Sequence, residues 1–169
     1  MEKAKAMYGA GLEVAADLWR APAIDPKLVE RLQAHLTSQL DLCAALETIA
    51  DGLPDNVCRQ TCLHAARSIY PIVKSAHEFE EDELFPAIKE VFLAQDTRPE
   101  SPFERLMEEH WEDESFGQEL AEVIREFVAG RDTNTDKLSY MLRGFFEGLR
   151  RHIAFEKEVF TPIFATQTA

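Results

Sequence analysis

Apolar residues recur at alternating steps of three and four along most of this chain, with little β-branched alternation and only 7 glycines, which predicts helix almost throughout. Four long periodic segments stand out. The first covers about residues 26–50 and ends at "DGLPDN". The second, about 57–94, is interrupted by Pro71 and Pro86 and stops at "QDTRPESP". The third covers about 102–129, ahead of Gly130, and the fourth follows "RDTNTD" to about residue 164. Short connections between long helices make successive helices antiparallel. The expected fold is therefore all-α, an up-down-up-down antiparallel four-helix bundle over residues 26–165. Residues 1–25 are expected to form an N-terminal arm or a short helix.

The core-facing seam of each helix follows from the same spacing. In the first it reads Leu28, Leu32, His35, Gln39, Leu42, Leu46, Ile49. In the second, His77 and Glu81 lead into Leu84, Ile88 and Val91; in the third come Phe103, Leu106, His110, Glu114, Gly117, Ala121 and Ile124. The fourth reads Leu138, Leu142, Phe145, Leu149, His152, Glu156, Val159, Ile163. Each helix thus offers a core-facing histidine, and three add a glutamate one turn later. The repeat is visible directly: "HEFEEDELFP" from residue 77 and "HIAFEKEVFTP" from residue 152 place His, Glu, Glu and Phe at matching offsets. His-x3-Glu sets both side chains on one helix face, about 6 Å apart along the axis.

One seam histidine is ordinary core. Four of them with several carboxylates are not, because burying each acid without a cation costs several kcal/mol and no Lys or Arg lies on these seam stretches. A metal centre in the bundle core would neutralise the acids and use the imidazoles together. His64 stands thirteen residues before His77, about 220° around the helix, and so should point away from the site. Glu83 and Glu158, about 240° from their histidines, should be solvated, and Phe85 and Phe160 should pack between helices.

The chain has 169 residues, 46% of them hydrophobic, enough for one domain with a sizeable core. Its net charge of -13 and lack of a basic stripe argue against nucleic acid or an anionic membrane surface as a partner. No signal peptide and no run of about eighteen apolar residues is visible. Cys43, Cys58 and Cys62, an odd count without a tight pair, read as buried small hydrophobes in a reducing cytoplasm. No nucleophilic triad, phosphate loop or dinucleotide motif is present.

Helix-borne His, His-x3-Glu, His and His-x3-Glu in this order resemble the hemerythrin-like family, also called HHE cation-binding domains. The resemblance covers roughly residues 28–165, including "EEDELFP" and "EKEVFTP" after the paired histidines. It implies a bundle enclosing two iron ions with an oxo or hydroxo bridge, for which zinc or manganese are possible surrogates. Carried onto this chain, His35 and His77 would ligate one iron, His110 and His152 the other, and Glu81 and Glu156 would bridge them. Either Glu114, one turn from His110, or Glu78, beside His77, would complete the second metal. The family's oxygen carriers have a histidine where this chain has Glu114, and an aspartate five residues after the last histidine where this chain has Glu156 at four.

Exchanging an imidazole for a carboxylate favours Fe(III) over Fe(II) and weakens reversible oxygen carriage. The resemblance therefore implies chemistry with a small diatomic or peroxide ligand (oxygen, peroxide or nitric oxide), as in an oxidative or nitrosative stress response. The alternatives are a non-catalytic iron- or redox-responsive module and a structural zinc or manganese bundle. Whether the protein turns over peroxide or nitric oxide as an enzyme, and whether it forms an oligomer, stay open at this level.

Overall fold

A computed structural model describes residues 24–95 and 101–165. The arm or short helix expected for residues 1–25 lies outside the described residues, save Ile24 and Asp25. Among the described residues the chain is helical with no strand, and none of its helices is long and apolar enough to cross a membrane.

Helix α1 is Pro26–Gly52. Asp25 caps it by accepting from the Lys27 N–H at 3.0 Å, and Pro26 begins it, where a missing N–H costs nothing. Helix α2 is Arg59–Phe79 and runs through Pro71, which lies on the exposed side. A π-helical turn, Glu80–Leu84, links it to α3, Phe85–Gln95. Pro86 lies just beyond this turn. Its ring has no N–H to donate and crowds the carbonyl of Asp82, four residues back, which gives a local reason for the chain to widen there. Helix α4 is Pro102–Val128, and α5 is Thr135–Ala165. Between them Gly130 has φ +72, a left-handed conformation that suits glycine, and the Asn134 side chain accepts from the Lys137 N–H at 2.9 Å to start α5.

The helices pack as a square: α1 lies against α2 and α5, and α4 against α2 and α5. Their antiparallel sense shows in the cross-helix contacts. His35 meets Phe79, Glu47 meets Arg150, and Asp51 meets Arg143. This is the expected antiparallel four-helix bundle, with its second helix made of α2, the π turn and α3.

The fourth seam is buried along its whole length, from Leu138 to Ile163. Around it, Leu46, Ile69, Leu120, Ile124, Phe145 and Phe146 fill one half of the bundle. Burying each such side chain stabilises the fold by about 1.5–3 kcal/mol. The α2–α4 contact is close because position 117 is glycine: a Cβ there would stand 2.9 Å from Ile69 Cγ2 and 3.3 Å from Phe145. Toward the other end, Phe85, Phe103 and Phe160 form an aromatic layer with ring centroids 5.1 and 6.1 Å from Phe85. The polar seam residues lie between these two apolar halves. Two of the three cysteines are buried as expected; Cys58 is instead exposed, at the N-cap of α2, because the helix begins only after it.

Candidate metal centre

Five polar side chains meet in the middle of the bundle. They are His77 from the last turn of α2, Glu80 from the π turn, His110 from α4, and His152 and Glu156 from α5. None is more than 3% exposed. His110 Nε2 lies 3.2 Å from Glu80 Oε2, and His152 Nε2 lies 3.1 Å from Glu156 Oε1. His77 and His110 stack with centroids 3.9 Å apart. Ligand atoms of His77, His110 and His152 lie within 4.8 Å of one another, as do those of Glu80, His110, His152 and Glu156.

The outer nitrogens of the three rings are held from behind. His77 Nδ1 is 3.3 Å from Glu114 Oε1, His110 Nδ1 is 2.7 Å from Glu81 Oε1, and His152 Nδ1 is 2.9 Å from Glu109 Oε2. A carboxylate at Nδ1 accepts the ring proton and leaves the Nε2 lone pair pointing inward, the usual support for a metal-bound histidine. Glu109 is itself fixed by Arg105 at 2.7 Å, and that guanidinium lies over the Phe155 ring.

The protonation pattern without metal follows from burial and these neighbours. Burial, reinforced by the charges of His110 and His152, pushes His77 down to about 2. Burial also lowers His110, against the pull of Glu81. For His152 burial opposes protonation, but Glu156, Glu109 and Asp113 outweigh it and raise the ring to about 9. Burial and the adjacent Glu156 hold the Glu80 carboxyl well above the usual range. Glu156 is lowered: burial works against its charge, and His152 and Glu80 favour it.

The expected residues divide into three groups. His77, His110, His152 and Glu156 come together as the seams implied. Glu81 and Glu114 sit at the rear of histidine rings rather than among the inward donors; Glu81 is 37% exposed, while Glu80 is fully buried. The reason is the π turn: it takes an extra residue and resets the helix phase, so that Glu80, Leu84, Ile88 and Phe92 share the buried stripe at four-residue steps. His35 and Glu78 do not join the cluster. Phe79 occupies the interior at the level of His35, whose ring lies against it at 5.0 Å, only half-buried. Glu78 points outward toward Lys74. His64, Glu83 and Glu158 are exposed, and Phe85 and Phe160 are buried, as expected.

Glu80 and Glu109 carry parts of the site that the residue pattern did not single out. Glu80 was accessible to it, since three and four residues after His77 are equally good steps on a helix. Glu109 was not, because its partner His152 is 43 residues away on another helix.

A cleft of about 200 Å³ between α4 and α5 reaches His152 from the surface, lined also by Arg105, Glu109, Glu112, Asp113, Gly148 and Arg151. Within it, burial raises the Asp113 acid to about 6.

Whether the cluster suits a cation is decided by its unpaired atoms. Nε2 of His77 and His110, both oxygens of Glu80 and Oε2 of Glu156 are buried without hydrogen-bond partners. Leaving such groups unpaired costs about 1–3 kcal/mol each, more where they are charged. A cation among them would satisfy all of these donors at once, and mixed imidazole and carboxylate sets suit iron, manganese or zinc. The residues fit a metal. Comparison with curated proteins and with solved structures gives no match. The family model described as the hemerythrin HHE cation binding domain, however, matches residues 23–164, which span every element of the bundle. The chain therefore belongs to the hemerythrin HHE cation-binding domain family.

Proposed function

We propose that the buried cluster holds two iron ions, and that the protein works by meeting oxygen, peroxide or nitric oxide at that centre. The observation that carries this is the inward set itself: three histidines with fixed outer nitrogens around two buried glutamates, of which both Glu80 oxygens and Glu156 Oε2 lack a hydrogen-bond partner. His77, His110, His152, Glu80 and Glu156 would hold the ions. When bound, iron in such a set supplies a reversible Fe(II)/Fe(III) couple and an open position for one small ligand.

The chain's own residues do the remaining work. Glu80, whose charged form burial and Glu156 disfavour, would supply the second negative charge beside a cation. Glu81, Glu109 and Glu114 keep the rings aimed inward. Phe85, Phe103 and Phe160 exclude bulk water on one side, while the cleft of about 200 Å³ lined by His152 is the side from which a small molecule would approach. An inward set of three imidazoles and two carboxylates favours Fe(III), which supports redox chemistry over reversible oxygen carriage.

A second reading, an iron- or redox-responsive module without turnover, is favoured by the position of Glu80 on the π turn. Filling or emptying the centre would act directly on helix winding there. To test the reading, the metal-free protein is loaded with Fe(II) without air and then exposed separately to oxygen, peroxide and nitric oxide. About two irons per chain and a ligand-dependent optical change are expected. Failure to retain iron would remove this function, and retention without response to any of the three would leave the metal-responsive module.

A further inference from the structure

One polar group at the level of the centre remains unused. Gln39 is fully buried on α1, and neither Oε1 nor Nε2 of its carboxamide has a hydrogen-bond partner. Its neighbours along α1's buried face, Leu32, Leu36, Leu42, Cys43 and Leu46, are all apolar or thiol. The antiparallel packing fixes its height. Cys43 Sγ donates to the Phe146 carbonyl at 3.7 Å, and Glu47 pairs with Arg150, so one turn earlier on α1 Gln39 faces the stretch of α5 that carries His152 and Glu156. On the other side, His35 stacks on Phe79, which places Gln39, one turn on, beside the turn that ends in His77. It is α1's only described buried polar residue.

We propose that Gln39, and not His35, is the group through which α1 touches the metal centre, with its carboxamide Oε1 as a neutral donor to the metal. This rests on the metal reading given above. His35 is a poor candidate for that role because its ring faces Phe79 and lies half in solvent beside Arg31 and Glu83. A carboxamide binds metal more weakly than an imidazole, so one metal keeps a labile position. The same side chain leaves Nε2–H2 free to donate a hydrogen bond to a small ligand held there. The centre would then contain three imidazoles, two carboxylates and one carboxamide, with one face designed for exchange.

Cobalt(II) binding tests this without any activity assay, because its d–d spectrum reports the number and type of donors. Wild-type protein, Gln39→Leu, Gln39→Glu and His35→Ala are stripped, titrated with cobalt(II), and melted in the metal-free state. Gln39→Leu should bind cobalt at least tenfold more weakly with an altered d–d envelope, yet its metal-free form should melt about 2–4 °C higher, since two unpaired polar atoms are gone. Gln39→Glu, which keeps an oxygen donor, should bind at least as tightly as wild type and also shift the spectrum. His35→Ala should match wild type within twofold. Wild-type affinity and spectrum in both Gln39 variants, or loss of cobalt in His35→Ala, would overturn the proposal while leaving the metal reading intact. If Gln39→Leu does not fold, an unshifted spectrum in Gln39→Glu overturns it alone. If wild type itself binds no cobalt, the metal reading fails first and this inference falls with it.

Discussion

Glu80 and Glu81 are neighbours in sequence with opposite placements, and exchanging each for glutamine separates their roles. Glu80 is fully buried against Glu156 and, without metal, burial and that neighbour raise its carboxyl well above the usual carboxylate range. Glutamine has nearly the same shape and carries no charge to bury, so metal-free Glu80→Gln should melt within about 2 °C of wild type. Metal binding should suffer far more. A carboxylate within about 4 Å of a cation contributes about 4 kcal/mol per unit charge at the effective dielectric of protein sites, which corresponds to about a thousandfold in affinity. Glu81 is 37% exposed and holds the outer nitrogen of His110 at 2.7 Å. Losing it leaves every inward donor in place and should cost about 10–100-fold. Competition against a chelator of known affinity, with Fe(II) or cobalt(II), measures both. If Glu81→Gln lost more affinity than Glu80→Gln, the assignment of the inward donor would be wrong.

Protonation supplies a second test. In metal-free protein His152, raised to about 9, holds its proton near pH 7, and burial together with Glu156 raises the Glu80 carboxyl well above its usual range. Metal must displace the His152 proton and favours the charged form of Glu80, so log affinity should rise with pH through neutrality and flatten as pH passes about 9; titrations in buffers of differing ionisation enthalpy count the protons released. The sign for stability follows from the same shifts: His152 stabilises the metal-free fold below its ordinary value near 6.5, and that contribution is lost as pH rises through about 9, with Glu80 acting in the same direction. The melting temperature of the metal-free protein should therefore fall between pH 7 and 9, and a rise would contradict the assigned directions. Gly117→Ala should destabilise by about 1 kcal/mol in denaturant titrations, because crowding against Ile69 at 2.9 Å and Phe145 at 3.3 Å outweighs the better helix propensity of alanine; a gain would mean that this contact yields freely. Hydrogen exchange should show metal removal deprotecting residues 77–84 more than residues 117–128, and equal protection in both forms would count against a metal-responsive module.

Much of this architecture is legible in the residues. The fourth helix follows the expected seam from Leu138 to Ile163 because a single α-helix with one buried stripe keeps the three-and-four step without interruption. The second helix departs from that step. After His77 both Glu80 and Glu81 satisfy that step, and only the π turn ahead of Pro86 selects Glu80; a periodicity of 3.6 has no register for a turn with an extra residue. In the first helix His35 and Gln39 share a seam. Which of them reaches the interior depends on Phe79, a residue of another helix filling the space at the level of His35. The supporting carboxylates show the same limit. Glu114 and Glu81 lie one turn from seam histidines, yet each holds a ring on a different helix, and such cross-helix pairings leave no trace in local spacing.

The central claim is that the bundle core is a metal centre built from His77, His110, His152, Glu80 and Glu156. Anomalous diffraction from crystals of iron-loaded protein, collected on both sides of the iron absorption edge, addresses it most directly. The account predicts two anomalous peaks per chain within bonding distance of those side chains, with Glu81, Glu114 and Glu109 remaining at the outer nitrogens. Iron-loaded crystals without anomalous density among the five residues, or with iron only at surface carboxylates, would contradict it.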